Sequence, residues 1–405
     1  MSDASPQNEN PKKSPKKSRK WQRRLLITGA SIAALGGAFV FCLHAFPGFG
    51  PAVADGVRAV VGPGPVAWAE DTLYGLEDFV RVKTQGNAQP LTYWETPPTP
   101  EPIVIQHADG TKVVIDPMAG APAPVSPPHP KVATPSDGQW YPMRTPGDEG
   151  ATLMWKTLIH PDPKRPFAAV AVVAMDVQKI DVHLVAGTEE PKSQTVKRQQ
   201  RPGLIPAADQ KLLLAAFNGG FKAMHGNYGM RIGQDLFIPP RDIGCTVAAA
   251  ADGSLTIRTF SAIKDDENKF AWYRQTPPCL IEQGAENPGL LVEFNRNWGA
   301  TVGGDTIIRR SAIGLSEDGR YVFYGLGDAT TAQSIGRAMQ VVGAYAAAQL
   351  DVNYSYPRFF LYDQGEAGPS ILEPLIKDIK YAPGEYVHQS SQRDFFYITR
   401  RKDPS

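Results

Sequence analysis

The chain has 405 residues, with 42 lysines and arginines against 41 aspartates and glutamates, a formal charge of +1, and only three cysteines. The cysteines form no CxxC and no Cys/His cluster at metal-ligand spacing, which excludes a structural zinc site. No Gly-x-Ser-x-Gly elbow, P-loop or dinucleotide fingerprint is present, which removes those enzyme classes.

The near-zero charge hides an asymmetry. Lys12, Lys13, Lys16, Lys17, Arg19, Lys20, Arg23 and Arg24 face only Asp3 and Glu9, so residues 1–24 carry +8 − 2 = +6 and the remainder about −5. Residues 25–46 then run without an Asp, Glu, Lys or Arg, long enough as a helix to cross a hydrocarbon core of roughly 30 Å. The basic flank sets the orientation with the N-terminus inside. Residues 1–24 are therefore expected to be a cytoplasmic tail and 25–46 a single-pass anchor, with the rest exported. A cleaved signal peptide is the alternative: Ala52-Val53-Ala54 resembles a cleavage site, although such peptides have shorter apolar cores of roughly 7–15 residues. Arg23-Arg24 also invites a twin-arginine reading. A nucleic-acid partner is not expected, because Trp21 is the only aromatic among the basic residues. A single basic-flanked anchor suits a bacterial inner membrane, with the main domain periplasmic or extracellular.

Residues 47–90 are membrane-proximal, and 65–83 read as an amphipathic helix with Leu73, Leu76, Phe79 and Val80 at helical spacing. Residues 91–146 hold 13 prolines, which favours an extended, semi-rigid spacer over 91–147. Inside it, 103–116 reads as a small hairpin turning at Asp109-Gly110.

Residues 148–405 are long enough for one substantial core. Strand-like runs occur at 168–175, 180–186, 212–217, 254–260, 305–315, 321–326, 358–362 and 394–400, with turns at Asp252-Gly253 and Asp318-Gly319. One helix is expected at 330–350, capped by Thr330 or Thr331, with Ile335, Met339, Val342, Ala346 and Leu350 on one stripe. Strands with few, irregularly placed helices indicate an α+β domain. Cys42 lies in the apolar run. Cys245 and Cys279 lie in the exported part, where a bridge closing a loop of about 35 residues would contribute roughly 3–4 kcal/mol in the chain-entropy model. Two free buried thiols are the alternative.

Four local patterns carry chemistry. Phe217-Asn218-Gly219-Gly220-Phe221 follows an apolar strand, where paired glycines permit a sharp turn and close approach of a ligand; a tight turn with no ligand is the bland alternative. His225 sits in a glycine-flanked loop soon after, where a surface histidine is equally ordinary. Arg309-Arg310 interrupt an apolar strand, so one must face inward and needs an anion or a structural carboxylate. Asp351 ends the predicted helix in Leu350-Asp351-Val352-Asn353-Tyr354-Ser355, which also contains an asparagine glycosylation sequon.

Taken in order, NGGF at 217–221, RRSAIGLSEDGR at 309–320 and the helix running into LDVNYS at 350–355 resemble the phosphodiester glycosidase family over roughly residues 165–400. The family typically shows N-G/A-G-F-F, R-x-A-I-G with a D-G turn, and L-D-G-G-G-S. Lys222 replaces the second Phe of the first motif. Val352, Asn353 and Tyr354 replace the three glycines of the last. The resemblance implies a single mixed-sheet α+β domain that cleaves a sugar 1-phosphodiester in an envelope glycan or lipid-linked sugar. It assigns phosphate binding to Arg310, with Arg309 and Arg241 as substitutes, since a guanidinium presents planar bidentate donors. Asp351 takes the carboxylate role that an oxocarbenium-like transition state requires. Asn218 and the Gly219 and Gly220 amides would orient the sugar or leaving oxygen, His225 would shuttle protons, and Asn353 and Ser355 would contact substrate. No cofactor is expected. Carboxylates and phosphate could share a divalent cation, but no dense acidic cluster demands one. The competing reading is a non-catalytic glycan-binding or assembly protein of an exopolysaccharide machine, working with other envelope proteins. An open pocket joining Asn218, Arg310 and Asp351 would favour the enzyme; Tyr354 or Tyr356 filling it would favour binding.

Overall fold

The computed structural model describes residues 78–107, 109–145, 150–291, 298, 307–366 and 368–401, all within one unit, Ala67–Ser405. The basic tail, the apolar run at 25–46, Cys42 and the first part of the expected helix at 65–83 lie outside the described residues. Among the described residues no helix is long and apolar enough to cross a membrane.

An eight-stranded sheet organises the domain. Its order is β14 (Ala285–Glu286), β13 (Ile281–Glu282), β17 (Ala344–Val352), β15 (Ile308–Ser316), β16 (Tyr321–Thr330), β5 (Val170–Asp176), β4 (Met154–Ile159) and β3 (Tyr141–Pro142). The central strand β5, VAVVAMD, is buried along its whole length because both faces are covered. Side chains alternate between faces with period two. Val170, Val172 and Ala174 pack with Phe323, Ala312, Ile335 and Met339 on one side. Ala169, Ala171, Val173 and Met175 enter the main core on the other.

The main core fills the space between that sheet and two five-stranded sheets. The first runs β19 (Gly368–Pro374), β18 (Phe359–Gly365), β7 (Leu213–Asn218), β20 (Phe395–Arg400) and β6 (Ile180–Val185). The second runs β11 (Leu255–Thr259), β10 (Cys245–Ala250), β12 (Phe270–Thr276), β8 (Met230–Ile232) and β9 (Asp235–Ile238). Phe217 stacks between Phe359 and Phe396 with ring centroids 6.0 and 5.3 Å away. Cys245 and Cys279 are disulfide-bonded, not two free thiols.

The domain is mostly β-sheet with few helices. A mixed sheet was expected, whereas the described ladders between strands are antiparallel, and only isolated bridges such as Asp137–Leu158 run parallel. The helix expected over 330–350 is also shorter. Residues 78–85 form α1, and α2 is Ala332–Val341, capped by Thr331 Oγ1 accepting from Ser334 N at 2.9 Å. Gly343, at φ +93°, ends the turn that follows α2, and the chain reverses into β17. Ile335 and Met339 form the helical stripe as expected, but Ala346 and Leu350 belong to a strand buried on both faces. Such a run offers no alternation to distinguish it from a buried helix. The neighbouring strand β17 explains the glycine of SAIG: a Cβ on Gly314 would sit 2.9 Å from Ala344 Cβ and 3.2 Å from Ala346 O.

The described part of the Pro-rich stretch is laid against this body. Its hairpin is β1 (Ile103–Gln106) with β2 (Lys112–Ile115). Tyr93 OH donates to Ala169 O at 2.9 Å and accepts from Asp328 N at 3.0 Å. Trp155 Nε1 donates to Pro117 O at 3.0 Å and Trp140 is buried in the helix-side core. Upstream, Asp78 in α1 pairs with Arg165 at 2.8 Å, while Phe79 and Val80 are exposed.

Candidate active site

The site forms where strand ends of two sheets meet. Phe395 of β20 pairs with Asn218 of β7, which places Asp394 beside the glycine pair that follows. Gly219 N donates to Asp394 O at 2.9 Å and Gly220 N to Asp394 Oδ2 at 2.8 Å. The approach is too close for any side chain. A Cβ on Gly219 would lie 2.2 Å from Asp394 Oδ2, and one on Gly220 2.8 Å from the Arg274 guanidinium carbon. The glycines therefore serve a protein carboxylate. Both amides, expected to orient a substrate oxygen, are already donating to Asp394.

Arg274, from β12, is fully buried and anchors the arrangement. Its Nε donates to Asp394 Oδ2 at 2.8 Å, Nη2 to Phe221 O at 2.6 Å, and Nη1 to Tyr228 O and Gln275 O at 3.1 and 2.9 Å. A buried ion pair is tolerated when its remaining donors are satisfied in this way.

The large sheet contributes Asp351 at the end of β17. Its backbone N donates to Gly219 O at 3.2 Å and its O accepts from Ser311 Oγ at 3.1 Å. Asn218 Nδ2 reaches the same Ser311 Oγ at 2.8 Å, and Asn218 Oδ1 accepts from Tyr324 OH at 2.7 Å and Arg358 N at 3.1 Å. Asn218 is thus committed to joining the sheets. Burial pushes the Tyr324 hydroxyl well above its ordinary pKa, so it stays a donor.

The Asp351 carboxylate is held on one side. Its Oδ2 accepts from Arg393 Nη1 at 2.6 Å and from Asn353 Nδ2 at 2.9 Å, and among the described residues no group donates to Oδ1. Burial alone would lower the Arg393 pKa; the charges of Asp351 and Asp394 reverse this and hold it above the ordinary arginine value. Arg393 Nη2 donates to Gly220 O at 3.0 Å, and its guanidinium lies 4.3 Å from the ring centroid of Tyr356. Tyr356 is buried and its OH donates to Asp394 O. Asn353, where the family pattern has glycine, closes the turn with its Oδ1, accepting from Ser355 N, Ser355 Oγ and Tyr356 N at 2.9, 3.1 and 2.6 Å. Ser355 and Tyr354 are exposed at the rim.

Asn218, Gly219, Gly220, Asp351, Asn353 and Ser355 are therefore brought together. The arginines are not. Arg309 stays on the loop side, donating from Nε to Asp328 Oδ1 at 2.5 Å and from Nη1 to Tyr354 O at 2.8 Å, so it braces the 351–355 loop. Arg310 points to the opposite face and donates to Thr330 O, Trp298 O and Gln349 Oε1 at 3.1, 2.6 and 2.9 Å. His225 lies exposed on the turn Ala223–His225. Arg241 braces that loop through Gly226 O at 2.5 Å, its guanidinium 5.4 Å from the centroid of the Tyr228 ring. No group of three or more His, Cys, Asp or Glu among the described residues is arranged to hold a metal ion.

The sequence reading missed Arg393, Asp394 and Arg274. A signal existed: Arg393-Asp394 stand immediately before the apolar FFYI run, and Arg274 interrupts FAWY. Charges set against buried strands must find partners.

No family model matches this chain, and no curated protein does. Among solved structures it is similar to the catalytic domain of zebrafish N-acetylglucosamine-1-phosphodiester alpha-N-acetylglucosaminidase auto-inhibited by its pro-peptide, at 13% identity and a TM-score of 0.36, over 77% of this chain and 87% of that one. A hypothetical protein from Synechocystis is similar at 11% identity and TM-score 0.35, over 62% of each chain. A putative exported protein from Burkholderia pseudomallei is similar at 10% and 0.29, over 57% of this chain and 74% of that one. These are weak likenesses of fold, and at such TM-scores none says what this chain acts on.

Proposed function

We propose that this chain is a glycan hydrolase that cleaves a sugar 1-phosphodiester, with Asp351 as the carboxylate at the anomeric carbon. The observation that carries the reading is the one-sided grip on Asp351. Arg393 and Asn353 fix Oδ2, while no described residue donates to Oδ1. A carboxylate with one oxygen held and the other unengaged suits attack on, or electrostatic stabilisation of, an oxocarbenium-like centre. Phosphate is a good leaving group, so strong general-acid assistance is not required of His225. The substrate would be an envelope glycan or lipid-linked sugar. The apolar run at 25–46 would anchor the chain in a bacterial inner membrane with this domain outside.

A second reading is a glycan-binding or assembly protein on the same scaffold. Tyr356 packed against Arg393 and the fully engaged Asn218 favour it. The two separate on turnover by the purified full chain in detergent on a panel of sugar 1-phosphodiesters. Release of free sugar supports the hydrolase; glycan retention with no release from any panel member supports the binding protein.

A further inference from the structure

Arg201 is a buried cation that the Asp351 site leaves unused. It follows the short turn Arg198–Gln200, is 5% exposed, and among the described residues nothing accepts from its Nε or Nη2. Arg393 repeats the pattern in part. Two of its nitrogens reach Asp351 and Gly220 O, yet its buried Nε has no acceptor among the described residues.

The backbone segments that carry these two residues are hydrogen-bonded into one neighbourhood. Ser391 N donates to Gly203 O at 2.8 Å and Thr188 N to Ser391 O at 2.9 Å, while Glu190 N donates to Gln392 O at 2.8 Å. The segment carrying Arg201 therefore runs beside the one carrying Arg393, and both guanidinium groups feel the charge of Asp394. The Phe237 ring centroid lies 5.3 Å from the Arg201 guanidinium carbon. Glu190 does not neutralise Arg201 by direct contact: its Oε2 accepts from Lys192 N and Ala223 N, both at 3.0 Å.

Arg274 shows what a structural arginine looks like here, with every nitrogen donating to protein. A buried guanidinium whose donors are unmet carries a desolvation cost that a bound oxyanion would offset. Oxyanions take charge-assisted, bidentate hydrogen bonds from guanidinium groups.

We infer that Arg201 binds the phosphate of the sugar 1-phosphodiester. This rests on the glycosidase reading and gives the phosphate to Arg201 in place of Arg310. A uronic acid carboxylate presents a similar pair of oxygens, so the test includes both anions.

Binding of inorganic phosphate and of glucuronate to the full chain is measured by calorimetry and thermal unfolding, without turnover. Arg201→Gln is compared with Arg198→Gln, whose side chain is 68% exposed. Phosphate should bind the unaltered chain and Arg198→Gln equally, and Arg201→Gln should weaken it about ten-fold or more. Without phosphate, Arg201→Gln should melt no lower than the unaltered chain, because it removes a cation whose donors are unmet. Undiminished phosphate binding by Arg201→Gln, no phosphate binding by the unaltered chain, tighter glucuronate than phosphate, or a lower melting temperature of phosphate-free Arg201→Gln would each overturn the assignment. Because nothing here depends on catalysis, failure of this test leaves the glycosidase reading standing, and absence of turnover leaves phosphate binding intact.

Discussion

The two faces of strands β15 and β17 hold polar groups of opposite kinds. On the helix side, Arg310 and Gln349 lie buried, and Arg310 donates to two backbone carbonyls and the Gln349 amide oxygen. On the loop side, Asp351 is gripped by Arg393 while one of its oxygens has no donor among the described residues. Arg309 and Arg310, adjacent on β15, face opposite ways by the two-residue period. Gln349 and Asp351, two apart on β17, are instead separated by a register shift in the β15–β17 pairing. Arg310 is met by neutral acceptors, whereas Arg393, which precedes β20, is met by a carboxylate.

The largest effect that would sharpen this contrast is loss of Asp394. Asp394→Ala strands Arg274 as a buried charge and leaves the Gly220 amide without its acceptor, so it should cost about 3–5 kcal/mol of stability in denaturant unfolding. A loss within experimental error would mean that the loop-side network is not what holds the glycine turn.

Arg310→Gln tests the other face. Leaving Thr330 O and Gln349 Oε1 short of a donor should cost about 1–3 kcal/mol, while kcat per folded molecule stays unchanged. A drop in kcat without a drop in stability would return Arg310 to the reaction and break the contrast.

A smaller effect lies away from the loop face, on the five-stranded sheet that contains β6. His183 on β6 stacks on Tyr397 with centroids 4.5 Å apart, and burial lowers its pKa, with Asp209 and Asp181 opposing. The folded His183 resists protonation, so the unfolded chain binds more protons once pH falls below about 6.5. Its contribution is therefore fully present above that value and lost as pH drops toward the folded pKa. Unfolding curves of His183→Gln should show a flatter pH dependence than the unaltered chain between pH 7 and 5, and equal slopes would contradict the assignment.

The sequence made much of this fold legible and less of the site. All eight apolar runs become strands because each has turn residues or charges at its ends, and Gly253 and Gly319 take the positive φ expected of their turns. β17 was hidden because AYAAAQL is buried on both faces and carries no period of its own. Asn218, Asp351 and the glycine pair were visible as motifs, since short-range pattern survives in sequence. Their partners were not, because Arg393 and Asp394 come from a strand end more than forty residues beyond Asp351 and only the sheet pairing brings them close.

The central claim is that Asp351 does the chemistry on the loop face. Its most direct test is turnover of a sugar 1-phosphodiester by the full chain carrying Asp351→Asn, which keeps the shape and hydrogen bonding to Arg393 while removing the charge. The account predicts a fall in kcat of about 100-fold or more, with folding retained by thermal unfolding. Full turnover by Asp351→Asn would contradict it.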